Sequence, residues 1–257
     1  MKILLKLGGT LLDSLESRLR LAREITAELG ARDRQVVVVH GGGKQMTRFL
    51  TERGVESRFV NGLRVTSPEV IDAVVKVFRG SVNSDLVTAF RAAGASPVGL
   101  SGLDAGLVDA EVLSPELGLV GRPIASNARL LEVLTAERFL PIVACVAGDS
   151  QGTIFNVNAD QMAVACAAAF KCDSLLFLTD VDGVKGSDGQ VLPQVTRQQA
   201  RVLIEQQVAT GGMQAKLEAA IDALDKGVGE VWIAPGARTG ATHMLLNNQP
   251  LGTRLIS

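Results

Sequence analysis

Tyrosine is wholly absent from this 257-residue chain, so no phenol is available to a site, and cysteine is scarce. The three cysteines are Cys145, Cys166 and Cys172, and the five residues between the last two match no paired zinc-ligand spacing and suit no disulfide framework. They predict buried, reduced thiols in a cytoplasmic protein. Long apolar runs are missing as well. The opening Met1–Gly9 is too short an apolar stretch for a signal peptide, and nothing later approaches the ~20 uninterrupted apolar residues of a membrane span. Neither sign of charge dominates: 26 basic against 27 acidic side chains leave a formal charge of -1, which argues against a general binder of nucleic acid or anionic membrane. No linker rich in Pro, Ser or charge divides the chain, and no short repeat or low-complexity segment occurs. What remains is ordinary globular material, 47% hydrophobic and 21% charged, in a chain longer than a typical domain of ~100 to 200 residues.

Short apolar runs alternate with amphipathic stretches. Ile3–Leu7 precedes a helical pattern with Leu15, Leu19, Ala22, Ile25 and Leu29, which Asp13 or Ser14 can cap and Gly30 can end, and then come four consecutive valines, Val36–Val39. This is the β-α-β signature of a parallel sheet buried on both faces. A helical stretch runs to Thr51, and the polar segment 57–66 suits a small hairpin. A helix opened by Ser67-Pro68-Glu69 runs past Gly80 and Asn83 to Ala93, long and interrupted enough to predict a kink or a dimer contact. The second half repeats the theme with a strand at Leu140–Val143, an alanine-rich helix over Ala159–Phe170 and a strand at Leu175–Leu178. Helices over Gln198–Gln207 and Met213–Lys226 and a strand at Glu230–Ala234 follow. The fold class is α/β, with two lobes sharing one continuous sheet rather than two tethered domains.

Ligands of open parallel sheets bind beyond the carboxyl ends of strands, and two glycine clusters fall there: Gly8-Gly9 after the first strand and Gly41-Gly42-Gly43 after the second. Either could be a plain tight turn. Without a Cβ, however, backbone amides can approach an anion closely, and a following helix N-terminus adds partial positive charge. Lys44 is followed by Gln45, so the second cluster is no Walker A loop, and Met46 breaks the dinucleotide fingerprint. Lys6 lies inside an apolar strand, where its ammonium must either snorkel to water or meet an anion or carboxylate. Asn156-Val157-Asn158-Ala159-Asp160-Gln161 gathers amides and a carboxylate where a strand gives way to a helix. Those groups serve as a partner for Lys6 or as helix caps.

Taken in order, Lys6-Leu7-Gly8-Gly9, His40-Gly41-Gly42-Gly43, Asn61-Gly62-Leu63-Arg64-Val65-Thr66, Asn156 to Asp160, and Gly211-Gly212-Met213 with Lys216 resemble the amino acid kinase family. The resemblance extends to Gly252-Thr253-Arg254 and so covers the whole chain, and it is closest to the branch that phosphorylates N-acetyl-L-glutamate in arginine biosynthesis. It implies a three-layer αβα sandwich around a mainly parallel sheet, with an acyl-amino-acid lobe over about residues 1–170 and a nucleotide lobe over 171–257. It further implies that Lys6 and Lys216 flank the transferring phosphoryl group and that Asp160 orients both. Gly9, Gly42 and Gly43 are similar in position to the amides that hold phosphoryl and carboxylate oxygens. Arg64 resembles the arginine that takes the substrate α-carboxylate, and Asn156 the amide that grips its acylated backbone. For ATP, with Mg²⁺ carried on its phosphates, the resemblance points to Thr179, Asp180, Val181, Gly183 and Val184, and to Val208, Ala209 and Thr210 ahead of the Lys216 helix.

Two positions depart from the family pattern. Ala215 stands where proline is common, which changes loop stiffness rather than chemistry, and Leu103 stands where lysine is usual, which bears on substrate selection. The chain also begins at the first strand, without the helix that the family associates with hexamers and arginine inhibition, so a homodimer without strong arginine feedback is the implied form. No phenol, and neither His40 nor His243, is needed for the chemistry. The competing readings are a carboxylate kinase for another acylated or carrier-bound amino acid, and a silent amino-acid or nucleotide sensor on the same fold.

Overall fold

Strands buried on both faces can be apolar throughout, and that is how the centre of this molecule is built. A computed structural model describes residues 1–30, 34–247 and 249–256. It opens with β1 (Lys2–Leu7), α1 (Leu15–Leu29), β2 (Gln35–His40) and α2 (Gly43–Thr51). A hairpin of β3 (Phe59–Val60) and β4 (Leu63–Arg64) leads to α3 (Pro68–Val74), a π-helical stretch over Val75–Val82, and α4 (Asn83–Ala92). Next come β5 (Pro97–Ser101), β6 (Val108–Val112), β7 (Val120–Ser126), α5 (Arg129–Ala136), β8 (Leu140–Ala144), β9 (Val146–Gly148) and β10 (Ile154–Val157). The chain continues through α6 (Ala159–Phe170), β11 (Ser174–Thr179), β12 (Gln194–Thr196), α7 (Arg197–Glu205) and α8 (Gly211–Asp225). It finishes with β13 (Glu230–Pro235), α9 (Ala241–Leu246) and β14 (Thr253–Ile256).

Eight strands form one sheet in the order β12-β14-β13-β11-β1-β2-β8-β5. From β13 to β5 every neighbour is parallel; β14 runs antiparallel to β13 and carries β12 at the edge. Helices α1, α4 and α9 pack together on one face, and α5, α6, α7 and α8 on the other, completing the expected αβα sandwich. Both halves of the chain therefore contribute to one sheet, with β1 at the junction between β11 and β2. A second, closed four-stranded sheet, β10-β7-β6-β9, was not foreseen in the sequence.

Local chemistry accounts for the element ends. The Ser14 hydroxyl caps α1 by accepting from Ser17 N, as expected. The hairpin turns on Asn61 (φ 49°) and Gly62 (φ 78°), residues suited to the left-handed conformations of a primed turn. Helix α6 spans the predicted 159–170, and Asn158 caps it by accepting from Asp160 N and Gln161 N. The interruption expected near Gly80 is the π-helical stretch, whose wider turn shifts the following helix relative to α3. All three cysteines are buried and free, and burial pushes the Cys166 thiol up to about 12.

Candidate active site

The two glycine loops meet at the carboxyl end of the sheet. Gly8 N donates to Leu178 O at 2.9 Å, tying the first loop to the end of β11, and Gly9 begins a single 3-10 turn. A Cβ on Gly9 would lie 3.7 Å from the Gly43 amide nitrogen, so the loops face each other. Gly42 is the N-cap of α2 and offers no side chain; the helix ladder starts with Met46 N donating to Gly42 O. The amides of Gly43, Lys44 and Gln45 thus have no acceptor within the helix, which leaves an electropositive N-terminus at the loop. Gly42 must lack a side chain, because a Cβ there would come within 2.9 Å of the Phe78 ring.

Lys6, near the end of β1, and Asp160, in the first turn of α6, are both nearly buried. Lys6 Nζ lies 2.7 Å from Asp160 Oδ1, and Lys216 Nζ, on α8, lies 3.4 Å from Oδ2. The Lys6 contact is a close ion pair in which the ammonium serves Oδ1. Burial pushes the Asp160 carboxyl up, but Lys6, then Lys216, outweigh it and hold the group below the usual carboxylate range. One carboxylate thus holds two ammonium groups from different elements, and the cluster keeps one net positive charge. An anion is the ligand such a cluster accepts.

Lys6, Gly9, Gly42, Gly43 and Arg64 line one cavity of about 720 Å³, together with Thr47 and Phe59. Arg64 comes from the hairpin; its guanidinium lies over the Phe59 ring, and its Nη2 donates to Thr47 Oγ1 at 2.8 Å and Gly43 O at 3.1 Å. Nη1 donates to Ser57 Oγ. Asn156, on β10, donates from Nδ2 to Thr66 Oγ1 at 3.0 Å. Thr47, Ser57 and Phe59, which fix the arginine, were missed in the sequence. The available signal was spacing: Thr47 lies four residues after Gly43, on the same helix face, and donates to its carbonyl at 3.0 Å.

Thr179–Val184 leave the end of β11 beside the first glycine loop. Thr179 Oγ1 donates to Asp180 Oδ1 at 3.0 Å, and Val184 N donates to the buried Thr253 hydroxyl at 2.8 Å, which docks this loop on β14. Gly183, at φ 149°, packs so closely that a Cβ would meet Val191 at 2.7 Å. Val208 and Ala209 close the end of α7, both donating to Leu203 O at 3.0 Å, and Thr210 is the N-cap of α8. Among the described residues no hydrogen bond or ion pair joins 208–210 to 179–184 or either segment to the lysine pair. Gly211 and Gly212 have open space around them, so the start of α8 is unobstructed.

Fold and site define a class: an αβα sandwich with an anion cradle of glycine amides and lysines at the carboxyl ends of central strands. The amino acid kinase family model matches residues 1–235. An acetylglutamate kinase of Solibacter usitatus is 59% identical over 257 residues, covering 100% of both chains. One from Acidobacterium capsulatum is 43% identical, covering 95% of this chain and 94% of the other. Among solved structures, smu.665 from Streptococcus mutans UA159 superposes with a TM-score of 0.82 at 30% identity, covering 99% of this chain and 98% of that one. The chain belongs to the amino acid kinase family.

Proposed function

We propose that this enzyme transfers the γ-phosphoryl group of ATP to the γ-carboxylate of N-acetyl-L-glutamate, giving N-acetyl-L-glutamyl 5-phosphate, a step of arginine biosynthesis. The observation that carries the chemistry is the Lys6–Asp160–Lys216 cluster beside two facing glycine loops. A carboxylate is already ionised at neutral pH, so it attacks phosphorus without a general base. What the site must supply is alignment and compensation of the charge that gathers on the transferring oxygens. Lys6 and Lys216 supply fixed positive charge, and the amides of Gly9, Gly42 and Gly43 supply donors that need no reorganisation. Asp160 holds the two ammonium groups apart from each other and in place before ATP arrives.

In this reading Arg64 takes the α-carboxylate of the acid in its planar fork, and Asn156 reads the acylated nitrogen. Thr179, Asp180, Val181, Gly183 and Val184 line the nucleoside pocket, with Val208, Ala209 and Thr210 as its second wall. Residues 1–170 then form the acid lobe and 171–257 the nucleotide lobe. Asp160 is already engaged by both lysines, and among the described residues no group of three or more His, Cys, Asp or Glu could hold a metal. Mg²⁺ in this reading is carried by ATP through phosphate oxygens and water. The enzyme works as a homodimer in the cytoplasm, and no helix among the described residues is long and apolar enough to cross a membrane.

The test is ATP-dependent hydroxamate formation, which traps an acyl phosphate, from N-acetyl-L-glutamate compared with glutamate. Strong signal with the acetylated acid and little with glutamate is expected, because a free ammonium loses the acyl contacts and adds a desolvation cost. Equal turnover of both acids overturns the substrate assignment.

A further inference from the structure

Four successive carbonyls at the start of the second glycine loop are each held by a different partner. His40 O accepts from the Cys145 thiol, Gly41 O from His40 Nδ1 at 2.8 Å, and Gly42 O from Met46 N at 2.8 Å. Gly43 O accepts from Thr47 and Arg64. Among the described residues no peptide bond is cis, and a trans peptide points its carbonyl and the following N–H in opposite directions. Holding the Gly41 carbonyl therefore aims the Gly42 N–H. Gly41, Gly42 and Gly43 line the cavity, whereas the fully buried His40 is not in its wall.

The tautomer of His40 follows from its neighbours. A carbonyl only accepts, so the Nδ1 atom that faces Gly41 O carries the proton. Nε2 then accepts from Asn83 Nδ2 at 2.9 Å, and the same Asn83 nitrogen donates to Ile142 O at 2.9 Å, which fixes the amide's orientation. Asn83 Oδ1 occupies the space that Gly99 leaves open, where a Cβ would lie only 2.2 Å away. Strand β5, helix α4 and strand β2 thus cooperate to hold one imidazole in one state. Burial also pushes its pKa down to about 4, so the ring is neutral at pH 7.

We propose that His40 is a positioning residue for phosphoryl transfer: its Nδ1–H locks the Gly41 carbonyl and thereby aims the Gly42 amide at the reacting oxygens. This rests on the functional reading above for what the amide holds. The ring itself never touches substrate. Removing the lock leaves the amide present but free to swing, which weakens a donor whose value lies in its fixed direction.

The kinetic arm compares His40→Leu, which fills the same space without a donor, with His40→Asn, whose amide can reach the Gly41 carbonyl. Turnover in the leucine variant should fall on the order of 10- to 100-fold with the half-saturating ATP concentration changed by less than about threefold, and asparagine should restore most of it. Wild-type turnover in a folded leucine variant, or an asparagine variant no better than leucine, overturns the proposal. A second arm needs no variant. The chain has two histidines, His40 and His243, so ¹⁵N spectra of histidine-labelled protein show two rings, and His40 should carry its proton on Nδ1. A proton on Nε2 overturns the proposal even if neither variant folds. Should wild-type protein fail to phosphorylate the acid, the functional reading falls separately. The ¹⁵N tautomer and the Gly42 amide resonance in His40→Leu then decide, with an undisplaced amide signal counting against the lock.

Discussion

Replacing Asp160 with asparagine keeps the shape of the side chain and removes only its charge, which isolates what the carboxylate does between two lysines. At an effective dielectric of about 20, a contact of 2.7 Å with Lys6 is worth roughly 6 kcal/mol and one of 3.4 Å with Lys216 roughly 5 kcal/mol before desolvation. Burying the carboxylate and the ammonium groups costs several kcal/mol per ion, so most of that attraction is offset. The relevant quantity is the imbalance left when one member goes, typically about 3 to 5 kcal/mol for a buried pair. Asp160→Asn should therefore lose about 3 kcal/mol of stability, which for a chain of this size lowers the melting temperature by about 10 °C. Two unneutralised ammonium groups attract a polyanion more strongly, so MgATP should raise the variant's melting temperature by more than it raises wild type. Turnover should fall on the order of 10²-fold or more, because the lysines lose their common anchor. Urea unfolding, thermal shift with MgATP and coupled ADP release read the three effects. A variant as stable as wild type, with an unchanged nucleotide shift, would refute the claim that Asp160 holds the lysines by charge.

Lys216→Ala should lower turnover on the order of 10²-fold while calorimetric binding of N-acetylglutamate changes little, and a folded variant with normal turnover removes this lysine from the mechanism. Arg64→Lys should mainly raise the half-saturating concentration of the acid, since a single ammonium cannot reproduce the fork; an effect confined to ATP would move Arg64 out of the acid site. His40 falls from 6.5 to about 4 on folding, so its neutral form is favoured by the native state. The unfolded chain takes up that proton first as pH drops, and the stability is whole above about pH 6.5 and declines toward pH 4, by about 3 kcal/mol in all. Urea unfolding across that window should show a flatter decline in His40→Asn, and parallel curves would contradict the assignment. Gly99→Ala should cost about 1 to 3 kcal/mol through its clash with Asn83, and a neutral result in a melt would show that the Asn83 amide has room to move.

Local signals carried the reading of α1, α6 and the hairpin within 57–66. Each is bounded by a residue whose chemistry acts within a few positions, such as the Ser14 and Asn158 caps or the Asn61-Gly62 turn. The closed sheet of β6, β7, β9 and β10 had no such signal. Its strands are short, β9 and β10 barely reach a few residues each, and closure depends on pairs distant in sequence such as Asp109 with Gly148 and Asn156 with Val120. The site divides in the same way. Lys6 stands out because an ammonium inside an apolar strand demands a partner, and the 156–161 segment offered a carboxylate for it, whereas Lys216 joined the pair through the family resemblance alone. The network behind the second glycine loop was invisible for a related reason: nothing local marks His40 or Asn83, and their significance lies in the contact between the end of β2 and the start of α4.

The π-helical stretch over Val75–Val82 has a consequence for how this protein tolerates insertions and deletions. It sets the phase in which Phe78 and Val82 press on Gly42 and in which Asn83 meets His40. An α-helix winds further per residue than the wider π turn, so losing one residue here would tighten the stretch toward α-helical geometry and shift Phe78, Val82 and Asn83 against Gly42 and His40. Point substitutions on the exposed side of the stretch leave the phase intact, whereas a change in length does not. In a library of single-residue deletions across the chain, positions 75–82 should stand out as depleted among active clones, although this stretch lies on a helix remote in sequence from both lysines.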